Sequence, residues 1–350
     1  TGFSAEPPLP AEPLWRYRNK VEFSFARAAD GPELGFHPPG DWRRVVAIDD
    51  CLLHSELTNR IRNRVRALVR DSGIDAWDQK SEAGFWRHLV IREGINTGEV
   101  MVNIVTAPGE FPAAGRFADA LAGEFPEIAS LVWSINRTRA SVATGLPFTV
   151  LACRDHIFEV ICGLKLKVAP STFMQTNTPM AERLYTRALE YADAGGDETV
   201  FDLYSGTGSI ALLIARTSGQ VLGIEISGEA VGLAAENAVA NAVGNAVFIA
   251  GKVRVVLKDI LEGRGPAGIS ARPDVVVLDP PRAGASKKEV MRLLELEPRR
   301  IVYVSCDPST MAANASQLAG GGYVLDKTTA VDMFPHTPHI EVVARFSKAR

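Results

Sequence analysis

A chain of 350 residues, 46% hydrophobic and 23% charged, has the composition of a globular protein long enough to bury two cores. Its net charge of −3 excludes bulk electrostatic attraction to nucleic acid, so any basic surface has to be built by local clustering. Four scattered cysteines (Cys51, Cys153, Cys162, Cys306) form no C-x-x-C pair, which argues against a zinc ribbon, an iron–sulfur cluster or a disulfide framework. That usage fits a reducing, intracellular compartment. No apolar run approaches the ~18 residues of a membrane span, and no signal peptide is visible. The chain starts at Thr1 rather than Met, as a processed or truncated form would.

Residues 1–14, rich in Pro, Ala and Glu, read as a flexible lead-in. A first domain over 15–167 shows short alternating segments such as Lys20–Phe25 and Glu99–Val105, the pattern of antiparallel strands with one wet face. Ile61, Val65 and Leu68 recur at helical spacing, so 55–71 reads as an amphipathic helix. On that helix Arg62, Arg66 and Arg70 share a face, either as a phosphate track or as a solvated surface. Arg16, Arg18 and Lys20, interleaved with Trp15 and Tyr17, are the better RNA candidates, because rings stack on bases while cations meet phosphate.

From 168 to 350 the pattern changes to strand, turn, helix, repeated. Strands are expected at 199–204, 220–225, 246–250, 274–278, 300–305, 322–330 and 339–347, the signature of a doubly wound, mainly parallel sheet. Three of these runs end in chemistry. The first delivers Asp202-Leu203-Tyr204-Ser205-Gly206-Thr207-Gly208, a turn in which Gly206 lets backbone amides approach a ligand. The fourth ends in Asp279-Pro280-Pro281-Arg282, and the fifth in Cys306. The second closes on Glu225, an acid placed to accept both hydroxyls of a ribose. With two glycines and no P-loop lysine, the turn suits S-adenosylmethionine better than a pyrophosphate cofactor. A cysteine ending an apolar strand is usually packing, but beside a nucleotide turn Cys306 becomes the favoured nucleophile. Glu341 lies in an apolar run, Ile340-Glu341-Val342-Val343, where an acid can also simply face solvent. His336 and His339 lack a third ligand nearby, so no metal is expected.

Tyr17-Arg18-Asn19-Lys20, Phe173-Met174-Gln175-Thr176-Asn177, the Asp202–Gly208 turn, Asp279–Arg282, Ser305–Pro308 and Phe334–Glu341 occur in one order. In that combination the chain resembles the S-adenosylmethionine-dependent RNA uracil-C5 methyltransferases over nearly its whole length. Plant-type members, which lack the TRAM barrel, look most similar, so cytoplasm or plastid stroma is the expected location. The resemblance implies an α/β fold, with a seven-stranded Rossmann-like methyltransferase domain preceded by a smaller, mainly antiparallel α+β RNA-binding domain. It implies Cys306 as nucleophile and Glu341 as the base that removes the C5 proton. It also implies a cofactor site of Gln175, Tyr204, Ser209, Glu225 and Asp279, with Asp279 near the target base and Phe173 packing on a nucleobase. The implied partner is structured RNA, transfer or ribosomal, bound by a monomer without metal.

Thiolate addition at C6 would make C5 nucleophilic, and a base must then take the C5 proton. Such a site should favour the thiolate. Three departures stand out: Asp307 where Asn is frequent, Ala313-Asn314 in place of a basic–acidic pair, and Arg254 in place of an acid. The last two keep open a second reading, an RNA-binding or folding module with a weak or silent site.

Overall fold

The computed structural model describes residues 4–41, 44–111 and 114–349. The chain divides into two units. One takes in Trp15–Val160 and Lys167–Thr172; the other holds the lead-in through Leu14, Ile161–Leu166 and the chain from Phe173 onward.

After a two-residue strand in the lead-in, β1 (Ser4–Ala5), the first unit runs β2 (Lys20–Ala26), β3 (Glu33–Phe36), β4 (Val46–Ala47), α1 (Glu56–Asp71), β5 (Trp86–Gly94), β6 (Glu99–Thr106), α2 (Ala114–Glu124), β7 (Ile128–Ile135) and β8 (Phe148–Cys153). Its sheet has the order β4-β3-β2-β5-β6-β7-β8. Pairing is antiparallel except between β6 and β7, which run parallel with α2 as their crossover. All nine residues of β5 are buried, which erases the two-residue alternation by which a strand is read from sequence. The core beneath is aromatic, with Trp86 stacked on Phe117 at 5.3 Å and Phe111 edge-on at 5.2 Å.

Helix α1 begins where Ser55 accepts a hydrogen bond from Thr58 N at 2.9 Å, and it buries Ile61, Val65 and Leu68. Its arginine face is not a phosphate track. Arg62 is fully buried, hydrogen-bonded to the Asp49 carbonyl and lying over the Phe23 ring at 5.5 Å. Arg66 reaches Asp49 at 2.6 Å, and Arg70 pairs with Glu33. Spacing correctly placed the three on one face, but that face is graded: Arg62 is interior, Arg66 is half-buried in its ion pair and Arg70 is exposed. The RNA role expected for Arg62 is withdrawn, and the carboxylates at Asp49 and Glu33 already engage Arg66.

Two strands, β9 (Ile157–Ile161) and β10 (Leu164–Val168), form a small separate sheet. The second unit continues with α3 (Thr178–Ala192), β11 (Thr199–Leu203), α4 (Ser209–Ile214), β12 (Gln220–Glu225), α5 (Gly228–Ala240), β13 (Ala246–Ala250), α6 (Val253–Leu261), β14 (Val275–Leu278), α7 (Lys287–Leu296), β15 (Arg300–Ser305), α8 (Pro308–Gly320), β16 (Tyr323–Val331) and β17 (Glu341–Lys348). The sheet order is β1-β16-β17-β15-β14-β11-β12-β13. Strands β11 to β15 are parallel; β11, β14 and β15 are almost wholly apolar and buried because both faces are covered, whereas β13 is a partly exposed edge, and β17 is antiparallel between β15 and β16. Seven strands belong to the alternating pattern; the eighth is β1. The lead-in is thus joined to the sheet: Glu6 N donates to Thr328 O at 2.8 Å, and the Glu6 carboxylate pairs with Arg187. From β11 the chain winds outward through β12 and β13, then returns to the other side at β14. The carboxyl ends of β11 and β14 are therefore the switch point of this sheet, where such folds open a crevice.

Behind that edge the departure at Asn314 has a structural explanation. Asn314 Oδ1 accepts from Ala285 N at 2.9 Å and from the Tyr303 hydroxyl at 2.7 Å, while its Nδ2 donates to Ala285 O at 2.8 Å. The side chain is 4% exposed and fastens the loop after Asp279 to β15, the strand that leads to Cys306. Asn314→Ala would leave Ala285 O without its donor and Ala285 N with only the longer 3.4 Å bond to the Tyr303 hydroxyl, and should cost about 1–3 kcal/mol. Denaturant unfolding measures this directly; an unchanged midpoint would show that the clamp contributes nothing.

Candidate active site

Strand register brings the two proposed catalytic groups together. In the antiparallel pair β15–β17, Ser305 is the partner of Val342. Continuing that register by one residue sets Cys306 opposite Glu341, on one face of the ladder. In the parallel neighbour β14, Leu278 pairs with Tyr303 and Asp279 follows at once. Asp279 N donates to Leu203 O at 3.3 Å, so the carboxylate lies beside the end of β11 as well. Thiol, two carboxylates and the glycine turn thus converge at the switch point. Asp307 caps α8, accepting from Ser309 N at 2.9 Å and Thr310 N at 3.3 Å. An acid there does the capping work that an asparagine would do.

The electrostatics follow from burial. The Glu341 carboxyl is pushed up to about 8, first by burial and then by Asp279, with Arg282 opposing. Burial alone takes Asp279 up to about 7. Asp202, inside β11, rises to about 8 through burial, Asp279 and Glu225, while Ala211 N–H offsets part of this. The Cys306 thiol is also raised, by burial first and then by Glu341 and Asp279. The expectation of a thiolate-favouring pocket is therefore not met in the protein alone, because burial and two acids outweigh Arg282 and a backbone hydrogen bond at Cys306, which favour the thiolate. Arg282 is itself fixed by donating to His339 Nδ1 at 3.0 Å.

The glycine turn offers a cradle of the right chemistry for a cationic nucleoside. Glu225 accepts from Gly206 N at 3.1 Å and Ser227 N at 2.8 Å, which holds its carboxylate at the end of β12. Gly206 has φ +54, and a Cβ added there would meet nothing within 4 Å, so the space above the turn is open. Asp202 Oδ2 and Ser205 Oγ are buried without a hydrogen-bond partner among the described residues. Buried acids without a cation are costly, and a sulfonium with an ammonium group would relieve them.

Other expected residues take different places. The Tyr204 hydroxyl is engaged by Glu289 and its ring packs on the core, leaving mainly its backbone at the turn. Ser209 meets the Tyr185 hydroxyl. Gln175 is buried, whereas Phe173, two residues earlier, is 71% exposed. The segment they share is anchored by Asn177, whose Nδ2 donates to Met333 O at 2.8 Å. In the other unit, Arg18 Nε donates to Lys20 O at 3.1 Å. The Lys20 ammonium is lowered to about 8 by burial, with Arg92 and Arg18 adding to this and Glu22 opposing it. Of the two rings between these cations, Trp15 is exposed and Tyr17 is buried. Sequence reading passed over Asp202 and Arg282 as participants. An acid inside an apolar strand and a base closing the Asp-Pro-Pro run were the available signals. Among the described residues no group of three or more His, Cys, Asp or Glu could hold a metal.

The family model described as tRNA (uracil-5-)-methyltransferase matches residues 163–348. An uncharacterized RNA methyltransferase of Bacteroides thetaiotaomicron is 39% identical, covering 93% of this chain and 74% of its own. One from Bacillus cereus is 35% identical, covering 94% and 70%. The crystal structure of the Pyrococcus abyssi tRNA (uracil-54, C5)-methyltransferase in complex with S-adenosyl-L-homocysteine superposes with a TM-score of 0.80 at 31% identity, covering 99% of this chain and 79% of its own. A match over more than half of the chain, joined to that identity, places this protein in the S-adenosylmethionine-dependent RNA (uracil-C5-)-methyltransferase family.

Proposed function

We propose that the chain methylates C5 of a uridine in structured RNA by covalent catalysis, with Cys306 as nucleophile and Glu341 as base. The observation that carries this is the register that opposes Cys306 and Glu341 beside Asp279. Gln175, the 202–209 turn, Glu225 and Asp279 would hold S-adenosylmethionine, which supplies an electrophilic methyl group when bound. Cys306 Sγ forms a bond to C6 of uracil, and the electron pair of the C5–C6 double bond moves toward C5 and the O4 carbonyl. Once C5 carries the methyl group, the Glu341 carboxylate takes the C5 proton. The pair left behind reforms the double bond, and Cys306 departs as thiolate. Arg282, the cation opposing protonation of both groups, positions the pair electrostatically. The uridine in tRNA acted on by the Pyrococcus abyssi enzyme is one candidate target, and ribosomal RNA is the other.

Methyl-labelled cofactor and RNA from cells lacking the protein test the roles. Cys306→Ala should lose transfer at least about a thousandfold yet keep cofactor affinity. Glu341→Gln should add and methylate, then stall as a covalent complex carrying the label on a denaturing gel. Turnover of Glu341→Gln at the parent rate would remove it as base.

The raised acids also fix a pH dependence. Methyl transfer needs the Cys306 thiolate and completed turnover needs ionised Glu341 as well, so turnover at saturating substrates should climb as pH rises through about 8, while the methyl-transfer step alone follows the thiol, which burial pushes up. Arg282→Ala should move that rise to higher pH. For stability the sign is opposite. Asp202, Asp279 and Glu341 bind protons more tightly folded than unfolded, so the stability they contribute without cofactor is full below about pH 4–5 and is lost as pH rises toward about 8. Denaturant midpoints that increase over that range in the parent, relative to Asp202→Asn, would contradict the assigned shifts.

A further inference from the structure

The first unit contains a cavity of about 740 Å³, walled by the ends of β2 and β5, by His37 and Val45, and by loops around 77–80 and 139–141. Nothing in the catalytic chemistry uses it. In a chain of net charge −3, this wall holds four cations, Arg27, Lys80, Arg87 and Arg139, against one carboxylate, Asp78.

Arg87 is the most telling of them. It is 5% exposed, and its guanidinium donates only to backbone carbonyls: Asn136 O at 3.1 Å, Thr138 O at 2.6 Å, Arg139 O at 3.4 Å and Ala140 O at 2.7 Å. Among the described residues no carboxylate pairs with it. A buried cation left without an anion favours a ligand that brings one. Its guanidinium also lies over the Trp77 ring, 5.2 Å from the centroid. Trp77 Nε1 is a buried donor with no acceptor among the described residues. Beside it His88, lowered to about 4 by burial, Arg87 and His37, stays neutral and is within 3.3 Å of both Ser24 Oγ and Ser141 Oγ. Both its ring nitrogens are taken, so the two hydroxyls that flank it supply, along the His88 edge, the remaining donors and acceptors suited to the edge of a base. The volume lies within the roughly 300–1,000 Å³ of small-ligand sites.

We propose that this cavity is a second nucleotide subsite, which takes an unpaired nucleotide of the substrate RNA other than the uridine that is methylated. The base contacts Trp77 and the His88 edge, and its phosphates meet Lys80 and the arginines. The proposal rests on the RNA-methylating reading above, and its test separates the two.

Parent, Lys80→Glu and Trp77→Ala chains are assayed with labelled cofactor on RNA from cells lacking the protein, over a salt series. Ultraviolet crosslinking with peptide mapping and titration with UMP and AMP run in parallel. Lys80 is exposed and unpaired among the described residues, so its replacement tests the subsite without disturbing packing. The subsite predicts a KM for RNA about tenfold higher in each variant, kcat within about twofold, unchanged cofactor affinity and a shallower salt slope for Lys80→Glu. A crosslink should fall in the peptide that carries Trp77. Parent-like KM and salt slope in both variants, with methylation intact, would overturn the subsite and leave the RNA-methylating reading standing. Lost affinity for free UMP or AMP with unchanged RNA kinetics would overturn the RNA assignment in favour of a free mononucleotide. A parent that methylates no RNA would remove the functional reading and the subsite together.

Discussion

The chemistry of this molecule depends on one antiparallel strand inserted into a parallel sheet. Because β17 runs backward between β15 and β16, Val342 meets Ser305 at the end of β15, and the next step of that register sets Glu341 facing Cys306. A parallel strand in that slot would present its opposite end at the carboxyl edge, and the acid would lie at the far side of the sheet. The glycine turn and Asp279 reach the same edge from β11 and β14 by ordinary doubly wound topology. The hydrogen-bonded ladder sets the placement of the pair, and no loop has to find it.

The same burial that organises the site leaves it poorly charged for its work. Asp202, Asp279, Glu341 and Cys306 all hold their protons more tightly than they would in water; burial comes first for each, and the Asp279 charge makes the other three harder to ionise. A cationic cofactor reverses this logic, since one positive charge favours every deprotonated form around it. Cofactor binding and activation of the nucleophile are then linked through electrostatics, with Arg282 supplying the standing part of the field.

Much of this was legible in the sequence because the second unit obeys local rules. Its strands at 275–278 and 301–304 are continuous apolar runs bounded by turns, and covered parallel strands look like that. Cys306, Asp279 and Glu225 could be named from their places at strand ends. What could not be read was the direction in which a helix face points. Arg62 and Arg66 have the spacing of a surface stripe, and only the positions of Phe23, Asp49 and Glu33 make Arg62 interior and tie Arg66 into ion pairs. The β5 strand was hidden for a related reason, since Arg87, His88, Arg92 and Glu93 sit among its buried residues and break any apolar pattern. The two-residue β1 carries no periodicity at all. Asn314 looked like a lost contact because its partner, Ala285, is recognisable only once the loop is folded against it.

Substituting 5-fluorouridine into the RNA gives the most direct measurement of the central claim. Fluorine at C5 cannot leave as a proton, so the reaction should halt after methyl transfer with protein and RNA still joined. Mass spectrometry of the digested complex should find the methylated fluorouridine on the peptide containing Cys306, and only when S-adenosylmethionine is present. Absence of any adduct under conditions where unmodified RNA is methylated, or an adduct on Cys51, Cys153 or Cys162, would contradict covalent catalysis by Cys306.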